Sequence, residues 1–195
     1  MNERVLHLIS VYAFEIGWIL FGLIFIFRKR WPRDKTKSRD PMSIVGIVIQ
    51  TSALFAVWMF PRRRYTILPL GYWFHFVTAI LVTAIVIISV WTMWSAVRVL
   101  GRQWSLQARV LEDHKLVREG PYRFVRHPIY TGILGMIVAG GLAWTHWIGL
   151  AIALVLFGIG TAIRVRAEEK LLHEQFGAEF DDYKRDVPAV LPIKF

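Results

Sequence analysis

The chain has 195 residues, of which 55% are hydrophobic, and its formal net charge is +10. This composition is too apolar for an ordinary soluble domain, so we expect a polytopic membrane protein. The positive charge does not indicate nucleic-acid binding, because the basic residues fall in short segments between apolar runs. With no cysteine, disulfides and a thiolate nucleophile are excluded, and the histidines lack the spacing of a metal site.

The apolar runs predict an all-α fold with about five transmembrane helices. Three of these spans are expected over residues 5–27, 42–60 and 68–97. Residues 129–163 are too few for two full crossings and a loop, yet many for one, and Thr145-His146 interrupts them. We interpret this run as a tight helical hairpin.

Two parts of the chain follow from this pattern. Residues 1–97 carry the three amino-terminal spans, with a basic loop at 28–41. Residues 98–195 form the expected catalytic half, which we divide into a cytoplasmic cofactor-binding loop (98–128), the hairpin (129–163) and a carboxy-terminal helix and tail (164–195).

Basic residues predict the orientation in the membrane. They cluster in residues 28–39, 98–126 and the tail after Arg164, which a five-span topology places on one side. Short loops rich in Lys and Arg stay cytoplasmic, so the amino terminus is expected outside and the tail inside. The triplet Arg62, Arg63 and Arg64 disagrees, and its side of the membrane stays open.

Residues 116–132, LVREGPYRFVRHPIYTG, concentrate polar groups between apolar runs. Gly120-Pro121 and His127-Pro128 are turn signals, and Pro128 suits the first turn of a helix. The amino end of that helix offers N–H groups and partial positive charge to a carboxylate or phosphate. A basic loop whose arginines contact lipid phosphates accounts for the segment equally well.

A second polar cluster ends the last apolar run, at Arg164, Glu168, Glu169 and His173. Residues four apart share a helix face, so Arg164 and Glu168 point the same way. Alone, they could be an ordinary surface pair. Since a hairpin returns its end to its start, however, we expect the two polar clusters to meet.

The two clusters read LVxxGPYxxxRHPxYxG and RxxxEExxLxxxFGxxFxxY. Over residues 107–192 this pattern resembles the isoprenylcysteine carboxyl methyltransferase family and its phospholipid methyltransferase relatives, and in length the chain is similar to the short prokaryotic members. The resemblance implies a membrane-embedded enzyme that uses S-adenosylmethionine, in the inner (cell) membrane of a prokaryote, with its active site facing the cytoplasm.

Carried over position by position, the resemblance assigns catalytic roles to Arg164 and Glu168, and Arg164 would bind the substrate. Physically, Glu168 suits the amino group of the cofactor, loop N–H groups and His127 suit its carboxylate, and the planar fork of Arg164 suits an acceptor carboxylate. The cofactor site would be lined by Gln107, His114, Lys115, Leu116, Val117, Gly120, Tyr122, His127, Pro128, Ile129, Tyr130 and Glu168.

The expected acceptor is the carboxylate of a lipid-like molecule such as a prenylated cysteine. A phospholipid or other amine N-methyltransferase is the alternative, and it needs Glu168, Glu169 or His127 as a base. A sterol-type membrane reductase, similar around GPYxxxRHPxYxG, would bind a nicotinamide cofactor instead. A non-catalytic protein that binds anionic membrane lipids through its basic loops is the remaining hypothesis.

Overall fold

The computed structural model describes residues 2–27, 36–61, 71–111 and 113–193. Within these ranges the fold is helical apart from two short strands, which confirms the expected all-α class. The helices are α1 (Glu3–Ile26), α2 (Met42–Met59), α3 (Gly71–Leu100), α4 (Pro128–Ala143), α5 (Trp147–Phe176) and α6 (Ala178–Asp186), the strands are β1 (Thr36–Arg39) and β2 (Arg109–Leu111), and 3₁₀ turns occur at Gly101–Gln103 and Gly120–Arg123.

Four helices in the described part of the chain are long and apolar enough to cross a membrane. They are α1, α2, α3 with its following turn, and α5. Helix α4 is apolar too, but its 16 residues fall short of the about 20 that a crossing needs. The chain is therefore a multi-pass membrane protein in which four of the about five expected helices reach full spanning length.

Helices α4 and α5 form the predicted hairpin, with its turn at Thr145 and His146. The Thr145 hydroxyl donates to the Val57 carbonyl at 2.6 Å, and the His146 N–H donates to the Phe60 carbonyl at 2.8 Å. The second arm does not end at residue 163, where the apolar run ends. Helix α5 continues unbroken to Phe176, so the second polar cluster lies on the extension of a span and not on a separate helix.

The bundle packs α1 against α3, α2 against α5 and α4 against α3. Its buried core includes Phe14, Val57, Val82, Met136 and Ile137. Large apolar side chains on the outer faces of the same helices are exposed, as lipid-facing residues are: Ile19, Val48, Ile87, Trp91 and Val155. The helix faces thus separate into a protein core and a surface suited to hydrocarbon.

Helices α2 and α5 cross at Gly46 and Gly160. A Cβ atom built on Gly160 would lie 2.9 Å from both the backbone nitrogen of Gln50 and the carbonyl oxygen of Gly46. A Cβ atom built on Gly46 would lie 2.4 Å from Cγ of Arg164. Small residues of this kind let membrane helices approach closely. One turn beyond each glycine, Gln50 and Arg164 come within reach of each other.

Replacing Gly160 by alanine is expected to destabilise the protein by about 1–3 kcal/mol, since the added methyl group meets backbone atoms that cannot move independently. Thermal unfolding in detergent measures the effect as a lower midpoint. Gly158→Ala is the matched control on the same helix, because nothing lies within 4 Å of its added Cβ. Equal shifts in the two variants would contradict the close crossing.

A two-stranded antiparallel ladder, which the sequence did not predict, joins the two halves of the chain. Strand β1 precedes α2 and β2 follows α3, and Ser38 pairs with Val110. The Ala108 N–H extends the connection by donating to the Ser43 hydroxyl at 3.2 Å. Part of the predicted basic loop, residues 28–35, and the Arg62–Arg64 triplet lie outside the described residues.

Candidate functional site

A cavity of about 460 Å³ lies between the start of α4, the carboxy-terminal half of α5 and the polar segment that follows α3. This volume falls in the usual range for small-molecule sites. One part of its wall is polar and includes His127, Tyr130, Arg164 and Glu168. Another part is apolar and comes from the membrane helices and the loop beside them, with Phe21, Phe25, Leu100, Trp104, Leu106 and Ile133.

Most of the residues predicted for the site meet around this cavity. Those that line it are Gln107, His114, Lys115, Leu116, Val117, Tyr122, His127, Ile129, Tyr130, Arg164 and Glu168. The other two predicted residues, Gly120 and Pro128, lie outside its wall. Gly120 has a φ of +57° at the start of a 3₁₀ turn, which favours glycine, and Pro128 is the buried first residue of α4. Both therefore shape the backbone of the site.

Glu168 lies at the centre of the polar wall. One carboxylate oxygen, Oε1, accepts a hydrogen bond from the Tyr130 hydroxyl and lies 3.4 Å from Nη2 of Arg164, while Oε2 lies 3.3 Å from Nδ1 of His127. The Glu168 side chain keeps 24% of its surface exposed. Because a carboxylate can accept about four hydrogen bonds, Glu168 retains capacity for a ligand in the cavity.

Arg164 is 7% exposed and is held by neutral groups on two sides. Its Nη1 donates to Oε1 of Gln50 at 3.2 Å, and its Nη2 donates to the Leu106 carbonyl at 2.6 Å. The guanidinium carbon lies 5.0 Å from the Tyr130 ring centroid, within cation–π distance. Its Nε is fully buried and has no hydrogen-bond partner among the described residues, so Arg164 lines the cavity through its other atoms.

His127 connects Glu168 to its neighbour Glu169. Nε2 of His127 lies 3.3 Å from Oε1 of Glu169, which also accepts from Nε of Arg126 at 2.9 Å, and Oε2 of Glu169 lies 2.8 Å from Nζ of Lys184. Both ring nitrogens of His127 therefore face glutamates. The expected donation from His127 to a cofactor carboxylate is not available in this arrangement, and His127 instead orients Glu168.

The environment of His127 raises its pKa above the ordinary 6.5. Burial alone lowers this pKa, but the hydrogen bonds and charges of Glu168 and Glu169 outweigh burial. His127 is therefore more readily protonated than a free histidine.

This shift predicts how stability depends on pH. A raised pKa in the folded state contributes stability that is complete below 6.5 and is lost as the pH rises through the folded-state pKa. We expect the unfolding midpoint of wild-type protein to fall over this window more steeply than that of His127→Gln. The pKa of His114 is lowered by burial and then by the charge of Arg109. The effect of His114 on stability therefore has the opposite pH dependence, and stability is lost as the pH falls below 6.5. Identical slopes in both proteins above pH 6.5 would contradict the role of His127.

The chain's tail fixes the start of α4. The Arg126 and His127 N–H groups donate to the Pro188 and Ala189 carbonyls at 2.9 and 2.8 Å, and the Thr131 hydroxyl donates to the Val190 carbonyl at 2.5 Å. These N–H groups just before α4 thus bind the protein itself. The anion site expected at the amino end of this helix has correspondingly fewer free donors.

Comparison with known proteins agrees with this geometry. The sequence model of the isoprenylcysteine carboxyl methyltransferase (ICMT) family matches residues 79–174, which include both polar clusters up to His173 and most of the cavity wall. Over that segment, the chain is similar to the isoprenylcysteine carboxyl methyltransferase family. The resemblance predicted from the two motifs is confirmed.

Individual relatives match about half of the chain. It is 31% identical over 111 residues to protein-S-isoprenylcysteine O-methyltransferase of Saccharomyces cerevisiae, covering 56% of this chain and 46% of the yeast protein. It is 34% identical over 102 residues to protein-S-isoprenylcysteine O-methyltransferase B of Arabidopsis thaliana, covering 51% of each. It is 38% identical over 96 residues to the nickel-cobalt-cadmium resistance protein NccN of Alcaligenes xylosoxydans xylosoxydans, covering 48% and 44%. The chain thus spans about half the length of these relatives.

Several residues of the site lie outside the ICMT-family segment or escaped the sequence analysis. Phe21, Phe25 and Gln50 come from the first two spans, where no motif distinguishes them from other helix residues. Arg109 lies inside the ICMT-family segment, and its Nε is buried without a hydrogen-bond partner among the described residues. Its position between Gln107 and His114 was the signal that could have identified it.

Proposed function

We propose that this protein transfers a methyl group from S-adenosylmethionine to the carboxylate of a lipid-like acceptor, such as a prenylated cysteine. The observation that supports this most strongly is that one cavity combines the buried cation Arg164 with an apolar wall from membrane helices. A prenylated cysteine has the matching pair of features, an anionic end and a hydrocarbon chain. The match of residues 79–174 to the ICMT family supports the methyl transfer.

The polar residues of the cavity fit a zwitterionic methyl donor. S-adenosylmethionine supplies an activated methyl group on a sulfonium cation. The remaining hydrogen-bonding capacity of Glu168 suits the cofactor's amino group, and the cation of Arg109, which lines the cavity, suits its carboxylate. We therefore assign to Arg109 the role that the sequence suggested for His127, and we keep the other cavity-lining residues of the predicted set as the cofactor site.

Arg164 fits the acceptor. The positive charge and the planar geometry of its guanidinium suit a carboxylate, and the Gln50 and Leu106 oxygens hold the guanidinium in one orientation. A carboxylate is already ionised at neutral pH, so this chemistry requires alignment of the reactants and exclusion of water more than a proton transfer. The chain's residues then act mainly by binding and orienting.

The geometry favours this acceptor over an amine. Amine methylation needs a base to take a proton, and the three candidates are Glu168, Glu169 and His127. All three contact one another or nearby cations at 3.4 Å or less, and the raised pKa of His127 favours its protonated form. An acceptor that needs no base suits the site better.

We place the cavity at the cytoplasmic face of a prokaryotic cell membrane. It lies at the helix ends that adjoin basic segments with Lys115, Arg118 and Arg126, and short basic segments stay cytoplasmic. A polar cofactor would reach the cavity from that aqueous side. The other partners we expect are the lipid-like acceptor and the lipids of the membrane itself.

Methyl transfer can be tested with labelled S-adenosylmethionine and a panel of prenylcysteine, fatty acid and aminophospholipid acceptors. We expect label in the prenylcysteine as an ester that alkali hydrolyses. Label only in the aminophospholipid would replace the carboxylate by an amine acceptor. If calorimetry with S-adenosylhomocysteine gave no saturable heat, the enzyme hypothesis would give way to the lipid-binding protein.

A further inference from the structure

Gln50 is a buried amide in the middle of a membrane span. It is 5% exposed and lies in α2, outside the ICMT-family segment. Its neighbours Thr51 and Ser52 are exposed and donate to carbonyls of their own helix, those of Ile47 and Val48. Gln50 instead bonds to another helix. An amide buried at this depth is costly unless its hydrogen bonds are satisfied, which makes its partners informative.

Both ends of the Gln50 amide are fixed by α5. Nε2 donates to the Thr161 hydroxyl at 2.8 Å, and Oε1 accepts from Nη1 of Arg164 at 3.2 Å. Arginine can only donate, so the oxygen of the amide must face it and the nitrogen must face Thr161. The amide therefore has one orientation, and that orientation presents an acceptor to the guanidinium.

We propose that Gln50 is a positioning residue that holds Arg164 toward the cavity without neutralising its charge. This inference rests on the proposed function, in which Arg164 binds an acceptor carboxylate. The two shorter contacts of Arg164 are to neutral oxygens, those of Gln50 and Leu106, while the carboxylate of Glu168 lies farther away at 3.4 Å. Neutral acceptors fix the direction of the guanidinium and leave its charge for an anionic ligand.

The close crossing of α2 and α5 makes this contact possible. Gly46 and Gly160 bring the two backbones together one turn before Gln50 and Arg164. A side chain at either glycine would separate the helices or displace Arg164. The two glycines and the amide thus act together, and two of the three, Gly46 and Gln50, come from a span outside the ICMT-family segment.

A double-mutant cycle tests the inference with Gln50→Met, Arg164→Met and the double variant. Methionine is an unbranched side chain that lacks both the amide of Gln50 and the guanidinium of Arg164. We expect Gln50→Met to raise KM for a prenylcysteine acceptor about tenfold while S-adenosylhomocysteine affinity stays within about threefold of wild type. In the Arg164→Met background, Gln50→Met should cause no further rise in KM for the acceptor. Thr51→Val is the matched control on α2 and should leave KM unchanged.

Gln50→Glu separates positioning from packing. The carboxylate keeps the shape and an interhelical contact, so we expect an unfolding midpoint near that of wild type, but it pairs with Arg164 and should raise KM for the acceptor. Additive effects in the cycle, or a wild-type KM in Gln50→Glu, would overturn the inference. If the wild-type protein methylates no carboxylate, the proposed function fails. In that case the unfolding midpoints of the same variants still test the contact between Gln50 and Arg164. Non-additive shifts in the midpoint would support the contact, and additive shifts would exclude it.

Discussion

Replacing Arg164 by alanine is expected to lower kcat/KM for methyl transfer about 30-fold to 4,000-fold. Removing one member of a buried, hydrogen-bonded charged pair costs about 2–5 kcal/mol, and each 1.4 kcal/mol corresponds to about tenfold. The change removes the cation that we assign to the acceptor and leaves the Gln50 and Leu106 oxygens without their donor. The rate with labelled S-adenosylmethionine, per mole of folded protein, measures the loss.

The neighbouring Arg166 provides the control for this variant. It lies on the same helix two residues on and is exposed, so Arg166→Ala should retain wild-type activity. Affinity for S-adenosylhomocysteine should survive in Arg164→Ala, because that variant keeps Glu168 and Arg109. Wild-type turnover in Arg164→Ala would remove Arg164 from the mechanism.

Replacing Glu168 by alanine is expected to weaken binding of S-adenosylhomocysteine by a similar factor, about 30-fold or more. Glu168 contacts Tyr130, Arg164 and His127 at once, so the variant loses the proposed partner of the cofactor's amino group and the orientation of three other side chains. Calorimetry measures the affinity directly and does not depend on the identity of the acceptor.

Glu169→Gln distinguishes cofactor binding from general destabilisation. Glu169 is the next residue of the same helix and is equally rich in ionic contacts, with Arg126, His127 and Lys184, but it does not line the cavity. We expect this variant to unfold at a lower temperature and to bind S-adenosylhomocysteine within a few-fold of wild type. If both variants lose affinity equally, Glu168 has no specific role.

Local signals predicted much of the fold. Apolar runs gave the spans, Thr145-His146 gave the hairpin turn, and His127-Pro128 gave the start of α4, because each depends on residues adjacent in the chain. The end of α5 was misplaced since hydropathy stops at residue 163 while helix formation does not. From Arg164 to Phe176 the chain contains Ala, Glu, Lys and Leu and no breaker, and Gly177, with a φ of +52°, ends the helix.

Only the part of the site that lies in the two sequence motifs was predictable. The two clusters and the hairpin were sufficient to predict that Arg164, Glu168 and His127 lie near one another. The pairing of α2 with α5 was not predictable, since α2 and residues 147–163 of α5 are mostly apolar and their sequences do not show which faces meet. The contacts of Gln50, the β1–β2 ladder and the contacts of the tail were not predictable either, because each joins segments far apart in the chain.

The tail bonds to Arg126, His127 and Thr131 also set the order in which the site is completed. The apolar helices described above, including α4, precede residues 187–190 in the chain. They are therefore synthesised first and can enter the membrane while the start of α4 still lacks its carbonyl partners. A nascent chain therefore has its spans before it has a finished site. Membrane insertion and competence are separated in time, and the protein becomes competent only after residues 187–190 have been made.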